Sequence, residues 1–324
     1  MADASVTYPD TVPLPPLSRP AEVADLLVGA IDLHCHSGPA AMPRILDHHE
    51  ELLDAAAAGF RAVLYKDHFY PGMAHAIILE KLFPELGVRL YSGVALNNAS
   101  GGINPHAVDH AIKLGGKIVW MPTLSAANHI NVQASGAAKT FPKTSQKMLD
   151  PTPLTALDPN GKLTDATRQV IDLIAEGDII LAGGHLHVSE QHLLFEEAAR
   201  RGVKKMMVNH PTYIVGCNDT DIRQLVARGV KMEHSICMFI DGKSKKFSAD
   251  DLAHLIEVAG VDNTILCSDL GLVGSQRPVD GFRSITQILL DLQMSRPAIR
   301  KLISDNAAAF LNLPVTRSAA QNAA

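Results

Sequence analysis

Two histidines one residue apart, His34 and His36 in the stretch AIDLHCHSG, close a short apolar run. On an extended strand, residues two apart point to the same face about 6 to 7 Å apart along the backbone, so this pair can converge on one ion while Cys35 turns away. Packing, with each ring hydrogen-bonded to backbone, explains an isolated pair equally well. The same thing recurs along the chain: Lys66-Asp67-His68, His185-Leu186-His187, Asn209-His210, Glu233-His234 and Ser268-Asp269 each follow a short apolar run. Imidazole nitrogens with one carboxylate suit zinc, and also manganese, iron or nickel. His34, His36, His185, His210 and Asp269 therefore read as a divalent-metal site. Taken singly, His210 before Pro211 fits a turn, and Asp269 before Leu270-Gly271 fits a turn cap. His187 shares a face with His185 by the period of two, and His185, directly after Gly183-Gly184, stands nearer the strand end.

Residues this far apart need elements to gather them. From Gly29 onward the chain repeats an apolar run, a polar loop, an amphipathic helix and a glycine stop. The pattern predicts strands at 30–33, 62–65, 88–94, 117–120, 179–182, 205–208, 230–232 and 264–267. Between them it predicts helices over 46–58, 73–83, 105–114, 165–175, 190–201, 219–228 and 248–259. Continuously apolar strands separated by helices signal a parallel sheet covered on both sides. Eight such units point to the α/β class and to a (β/α)8 TIM-type barrel; a doubly wound open sheet, the competitor, normally uses fewer strands. In a barrel the C-terminal strand ends share one rim, where the loops build the active site. That rim is where the histidines fall.

The expected organisation is a proline-rich, extended N-terminal arm over 1–28, a barrel over 29–313 and a C-terminal tail over 314–324. A long polar insertion at 124–163 would emerge after strand four at the catalytic face, as a lid or an oligomer contact. The chain of 324 residues is 47% apolar, enough for a large core. A net charge of −5 without a basic cluster argues against nucleic acid and favours a small-molecule ligand. No leader-like or membrane-spanning run is visible, so a cytoplasmic protein is expected, with its four scattered cysteines reduced and a homo-oligomer as its assembly.

In this order the residues resemble the amidohydrolase superfamily, metal-dependent hydrolases on a (β/α)8 barrel. The matching elements are Asp32-Leu33-His34-Cys35-His36, His185, His210 and Ser268-Asp269. The phrases Lys66-Asp67-His68-Phe69-Tyr70-Pro71, Asn104-Pro105, Val119-Trp120-Met121-Pro122-Thr123 and Gly184-His185-Leu186 look like a little-characterised branch of it. The resemblance implies a water activated by one or two ions, with Asp269 taking its proton and returning it to the leaving group. It implies that His210 either ligates a second ion or stabilises an oxyanion. Many binuclear members carry a bridging carboxylated lysine or glutamate at the end of strand four, whereas this chain has Trp120-Met121-Pro122-Thr123 there. Lys66, if carboxylated, or Glu233 could supply the bridge; otherwise one ion suffices. His68, Tyr70, Asn97, Asn98, Trp120 and Glu233 lie where substrate contacts could form. The implied reaction is hydrolysis of an amide, cyclic amide or related C–N bond, then of an ester or lactone. The alternatives are a mononuclear non-oxidative decarboxylase and a non-catalytic metal-bound scaffold.

Overall fold

The computed structural model describes residues 11–136 and 143–315. Eight parallel strands stand in the order β1 to β8: Ile31–Cys35, Ala62–Tyr65, Arg89–Ala95, Ile118–Trp120, Ile180–Ala182, Met206–Asn209, Val230–Ser235 and Thr264–Cys267. Each pairs in parallel with the next. The ring is completed between β8 and β1 by the amide of Asp269 on the His34 carbonyl (2.7 Å) and that of His36 on the Leu270 carbonyl (2.8 Å). The eight-stranded barrel expected from the sequence is thus the fold, and its strands lie within about two residues of the expected bounds at most ends.

The helices are α1 (Pro20–Leu27), α2 (His48–Ala57), α3 (Met73–Leu82), α4 (Pro105–Lys113), α5 (Ala127–Ala134), α6 (Asp165–Gly177), α7 (Val188–Arg200), α8 (Asp219–Ala227), α9 (Ala249–Ala259), α10 (Pro278–Asp291), α11 (Arg296–Arg300) and α12 (Asn306–Phe310). Their starts follow the local chemistry. Asp47, Asn218 and Ser248 each form a capping box with the acidic residue three positions on, satisfying amides that the first helical turn leaves unpaired.

Two apolar layers result. Ile31, Leu33, Ala62, Leu64, Ile118, Trp120, Ile180, Ala182, Met207, Ile265 and Cys267 fill the barrel, while the alternate residues of the strands pack outward against the helices. Ala307, Ala308, Phe310 and Leu311, from the last helical stretch, join the inner cluster and close the floor. Among the described residues, no helix is long and apolar enough to cross a membrane.

Two expectations are corrected. The N-terminal arm is not extended throughout: Pro20 starts α1, which buries Val23, Leu26 and Leu27 beside α10. The insertion is not all loop, since it contains α5 and short bridges joining Ala126 to Leu154 and Leu157 to Leu163. Residues 1–10 of the arm, 137–142 of the insertion and 316–324 of the tail lie outside the described residues.

Candidate metal centre

The strand carrying the two histidines contains an irregularity that aims them. Ile31 and Leu33 face into the barrel, so simple alternation would send His34 and His36 out toward the helices. Between Asp32 and Cys35 the register with β2 shifts, as at a bulge, and Cys35 joins the outer layer instead. His34 and His36 thereby turn inward. Asp32 fixes the kink: its Oδ1 accepts the amides of His34 and Ser268, each at 3.0 Å, stitching β1 to the end of β8. Lys66, His68, Glu233 and Asp269 face inward by the ordinary period of two. His185 and His210 need the backbone to turn. Gly184 has φ +59°, and a side chain there would overlap the Met121 carbonyl; His210 itself sits at φ +32° and Asp269 at φ +48°. Left-handed conformations of non-glycine residues cost about 1–3 kcal/mol each, and here they re-aim a ring and a carboxylate.

Five imidazoles are gathered and anchored in the same way. The Nδ1 of His36 donates to the Lys66 carbonyl (3.0 Å), and that of His210 to the Tyr213 carbonyl (3.2 Å). The Nδ1 of His34 meets Glu233 Oε2 (3.1 Å), that of His68 meets Thr123 Oγ1 (2.9 Å), and that of His185 meets His129 Nδ1 (2.8 Å). A carbonyl accepts only, so in the neutral rings of His36 and His210 the proton sits on Nδ1 and Nε2 keeps its lone pair. This is how metal-ligating histidines are oriented in general.

The Nε2 atoms of His34 and His36 both approach Asp269 Oδ1, at 3.2 and 3.0 Å, and these three residues place their ligand atoms within 4.8 Å of one another. Burial holds both histidines well below their usual pKa, so they are neutral. Burial pushes the Asp269 carboxyl up, but its contact with His34 and the nearby Lys66 ammonium more than offset it and leave it below its ordinary range. A neutral ring whose proton is committed at Nδ1 directs a lone pair at an ionised carboxylate oxygen. For His36 that contact is repulsive by itself and becomes favourable around a shared cation; His34 Nε2 also meets the Lys66 ammonium at 2.9 Å. Two imidazole nitrogens and one carboxylate oxygen fit a divalent ion such as zinc.

His185 and His210 lie outside this triad as a second pair, with ring centroids 5.0 Å apart. His68 links the two groups, 5.0 Å from the His36 ring and 6.4 Å from that of His185. Lys66 lies between the strands with Nζ 2.9 Å from His34 Nε2, and burial pulls its ammonium down to about 8 against the attraction of Asp269 and Glu233. A cavity opens over these groups, lined by His36, Lys66, His68, His185, His210 and Asp269. Its outer wall includes Tyr213, Cys237, Ser244, Lys246 and Leu272, from the loops after β6, β7 and β8.

Five residues read from the sequence as substrate contacts, Trp120, Glu233, Asn97, Tyr70 and Asn98, are not among those lining this cavity. Trp120 is fully buried beneath the site, its ring 6.3 Å from His34 and 5.4 Å from Lys66 Nζ, because β4 turns it into the barrel. Glu233 is buried and receives His34, Asn209 Nδ2 (2.7 Å) and Ser235 Oγ (2.9 Å), so it braces the His34 ring; burial pushes its carboxyl up to about 7. Asn97 spends its amide on the His68 carbonyl, Thr123 Oγ1 and the amides of Thr123 and Ser125. Tyr70 donates to the Pro39 carbonyl (2.6 Å) and meets His48 Nε2 (3.2 Å). Asn98 is exposed and tied to Ser125 and Thr152. His187 is the N-cap of α7, bonded to Ser189, and leaves His185 as the inward histidine of that pair.

Sequence reasoning missed His129, which lies in the insertion, and the wall residues Tyr213 and Lys246. Their only signal was position in loops that follow barrel strands.

The fold has many solved relatives. An amidohydrolase from Pseudomonas aeruginosa shares 14% identity and superposes with TM-score 0.59 over 90% of this chain and 98% of that one. The probable dipeptidase PvdM from Pseudomonas aeruginosa shares 11% identity at TM-score 0.60, over 90% and 98%. The organophosphorus hydrolase from Deinococcus radiodurans shares 12% at TM-score 0.54, over 89% and 93%. At such identities the likeness speaks for the fold alone, an eight-stranded parallel barrel ringed by helices. No curated protein sequence matches the chain. Residues 29–233, from β1 into β7, match the model of DUF6282, a family of unknown function, and the chain belongs to that family.

Proposed function

We propose that the chain is a metal-dependent hydrolase that cleaves an amide, cyclic amide or related C–N bond of a small molecule, with esters or lactones next. The observation that carries this reading is the convergence of His34 Nε2 and His36 Nε2 on Asp269 Oδ1 beside a cavity that His36 and Asp269 line. His34, His36 and Asp269 would hold the ion, with His185 and His210 as further ligands toward the same or a second ion. The chemistry such an ion supplies when bound is acidification of water, from a pKa near 16 toward about 7.

Asp269, with 15% of its side chain exposed, would take a proton from the attacking water at a carboxylate oxygen and hand it to the leaving nitrogen. His210 directs Nδ1 at the Tyr213 carbonyl, which leaves Nε2 as its ring atom open to ligation. Ligation is the role this favours. Lys66 is the candidate bridge if carboxylated. Glu233 is engaged by three donors and supports His34 instead.

Zinc is the ion proposed, from the donor set. Four buried, free cysteines support a reducing, cytoplasmic setting. The exposed Leu53 of α2 and Ile77, Ile78 and Leu82 of α3 support a homo-oligomer. A second reading, a mononuclear non-oxidative decarboxylase, draws support from the end of β4, where Trp120-Met121-Pro122-Thr123 offers no bridging ligand.

The test is a panel of amides, cyclic amides, esters, lactones and carboxylic acids offered to zinc-loaded protein, followed for ammonia, amine or new carboxylate and for carbon dioxide. Hydrolysis that falls about 10²-fold or more in Asp269→Asn at saturating zinc is expected. Carbon dioxide as the sole product favours the second reading, and turnover unaffected by Asp269→Asn overturns the mechanism.

A further inference from the structure

We infer that His129, carried by α5 of the insertion, is a positioning residue of the metal centre: it accepts the Nδ1 proton of His185 and so fixes the His185 Nε2 lone pair toward the cavity. The inference rests on the metal reading above. Its starting point is the 2.8 Å separation of the two Nδ1 atoms, with the rings 22° from parallel. At that distance two N–H groups clash and two lone pairs repel, so one nitrogen donates and the other accepts. If His185 is to present a lone pair at Nε2, its proton lies on Nδ1, and His129 Nδ1 is the acceptor.

The arrangement parallels those of His34, His36 and His210, whose Nδ1 atoms meet Glu233, the Lys66 carbonyl and the Tyr213 carbonyl. Those acceptors belong to the barrel and the loops after its strands; the acceptor for His185 comes from the insertion. His129 is 1% exposed, so the contact is shielded from competing water. Its neighbour Asn128 donates its Nδ2 to the carbonyls of His185 (3.0 Å) and Ile214 (2.7 Å), clamping the same ligand by its backbone. The pair also forms a partition. His185 faces the metal cavity, while His129 lines a separate groove with Leu124, Ser125 and Gln133. Loading the metal centre and fixing α5 are therefore two sides of one equilibrium, because an ion on Nε2 favours the His185 tautomer that binds His129.

The experiment measures zinc affinity by chelator competition on the full chain. His129→Phe fills the space without an acceptor and should weaken zinc about 10–100-fold, while the metal-free melting temperature stays within a few degrees. His129→Gln restores an acceptor and should recover most of the affinity, which a merely space-filling role would not require. In the wild type, zinc should slow hydrogen exchange of the amides of 127–134 about tenfold or more. Wild-type zinc affinity in His129→Phe overturns the assignment. If that variant does not fold, loss of affinity in His129→Gln together with zinc-independent exchange of α5 overturns it. A wild-type chain that binds no divalent metal overturns the metal reading itself, and this assignment with it.

Discussion

His36 Nε2 and Asp269 Oδ1 lie 3.0 Å apart although the proton of the neutral His36 ring is committed at Nδ1 to the Lys66 carbonyl. Without a cation the contact opposes a lone pair to a carboxylate. Asp269→Asn therefore has two expected effects of opposite sign. Zinc affinity falls by 10²-fold or more, whereas the metal-free protein keeps its stability or gains up to about 1 kcal/mol, since the amide can donate to His36 Nε2 and Asn tolerates the left-handed backbone of this position. Isothermal titration and denaturation in chelator check the two halves. A large loss of metal-free stability would sink this explanation.

Glu233 supports His34 through a buried carboxylate that also receives Asn209 and Ser235. Glu233→Ala leaves three donors without their acceptor, at roughly 1–3 kcal/mol for each group that stays buried and unpaired, and should lower zinc affinity about 10–100-fold. Glu233→Gln keeps an acceptor for His34 and should lose less of both. If Glu233 instead contacted substrate, both variants would raise KM and leave metal binding intact.

The close approach of β5 to β4 can be tested at one glycine. Gly184 has φ +59°, and a methyl there would meet the carbonyls of Met121 and Pro122. Gly184→Ala is expected to cost at least about 1–3 kcal/mol from backbone strain alone and to displace His185. Denaturant unfolding and zinc titration should both register it; Gly202→Ala, at φ +89° with no atoms near the added methyl, should carry the strain without the metal defect.

Acid should destabilise the chain through His48, which lies outside the ligand set. It accepts from Ser37 Oγ (2.6 Å) at Nδ1 and meets Tyr70 OH at Nε2. Burial, with His75 and Arg44 nearby, pulls its pKa down to about 3. The folded state therefore binds the neutral ring and the unfolded chain binds the proton. The stability this contributes is complete above the unfolded value of about 6.5 and is lost as pH falls toward about 3, at up to about 1.4 kcal/mol per pH unit. His48→Gln should flatten the fall in stability between pH 6 and pH 4 in chelator. An unchanged slope would show that His48 does not titrate differently on folding.

Much of this was legible in the residues. Continuous apolar strands spaced by helices specify a parallel barrel, and the period of two places Lys66, His68 and Asp269 inward once the inner residues of β2 and β8 are known. The aim of His34 and His36 was not legible, because a one-residue register shift reverses the face and alternation alone gives no sign of it. Trp120 and Glu233 stand at strand ends, yet lie a layer below the cavity, a depth that sequence spacing does not encode. His129 was hidden for a different reason: it reaches the centre from an insertion, and nothing in a polar 40-residue stretch tells which residue folds back.

The central claim is that His34, His36 and Asp269 hold a divalent ion, and metal content of the purified chain measures it most directly. Elemental analysis should find about one tightly held divalent ion per chain, or about two if Lys66 is carboxylated and bridges, with the content falling to near zero in a His36→Ala, Asp269→Ala double variant. A wild-type chain that carries no such ion, and gains none from added zinc or manganese, would contradict the claim.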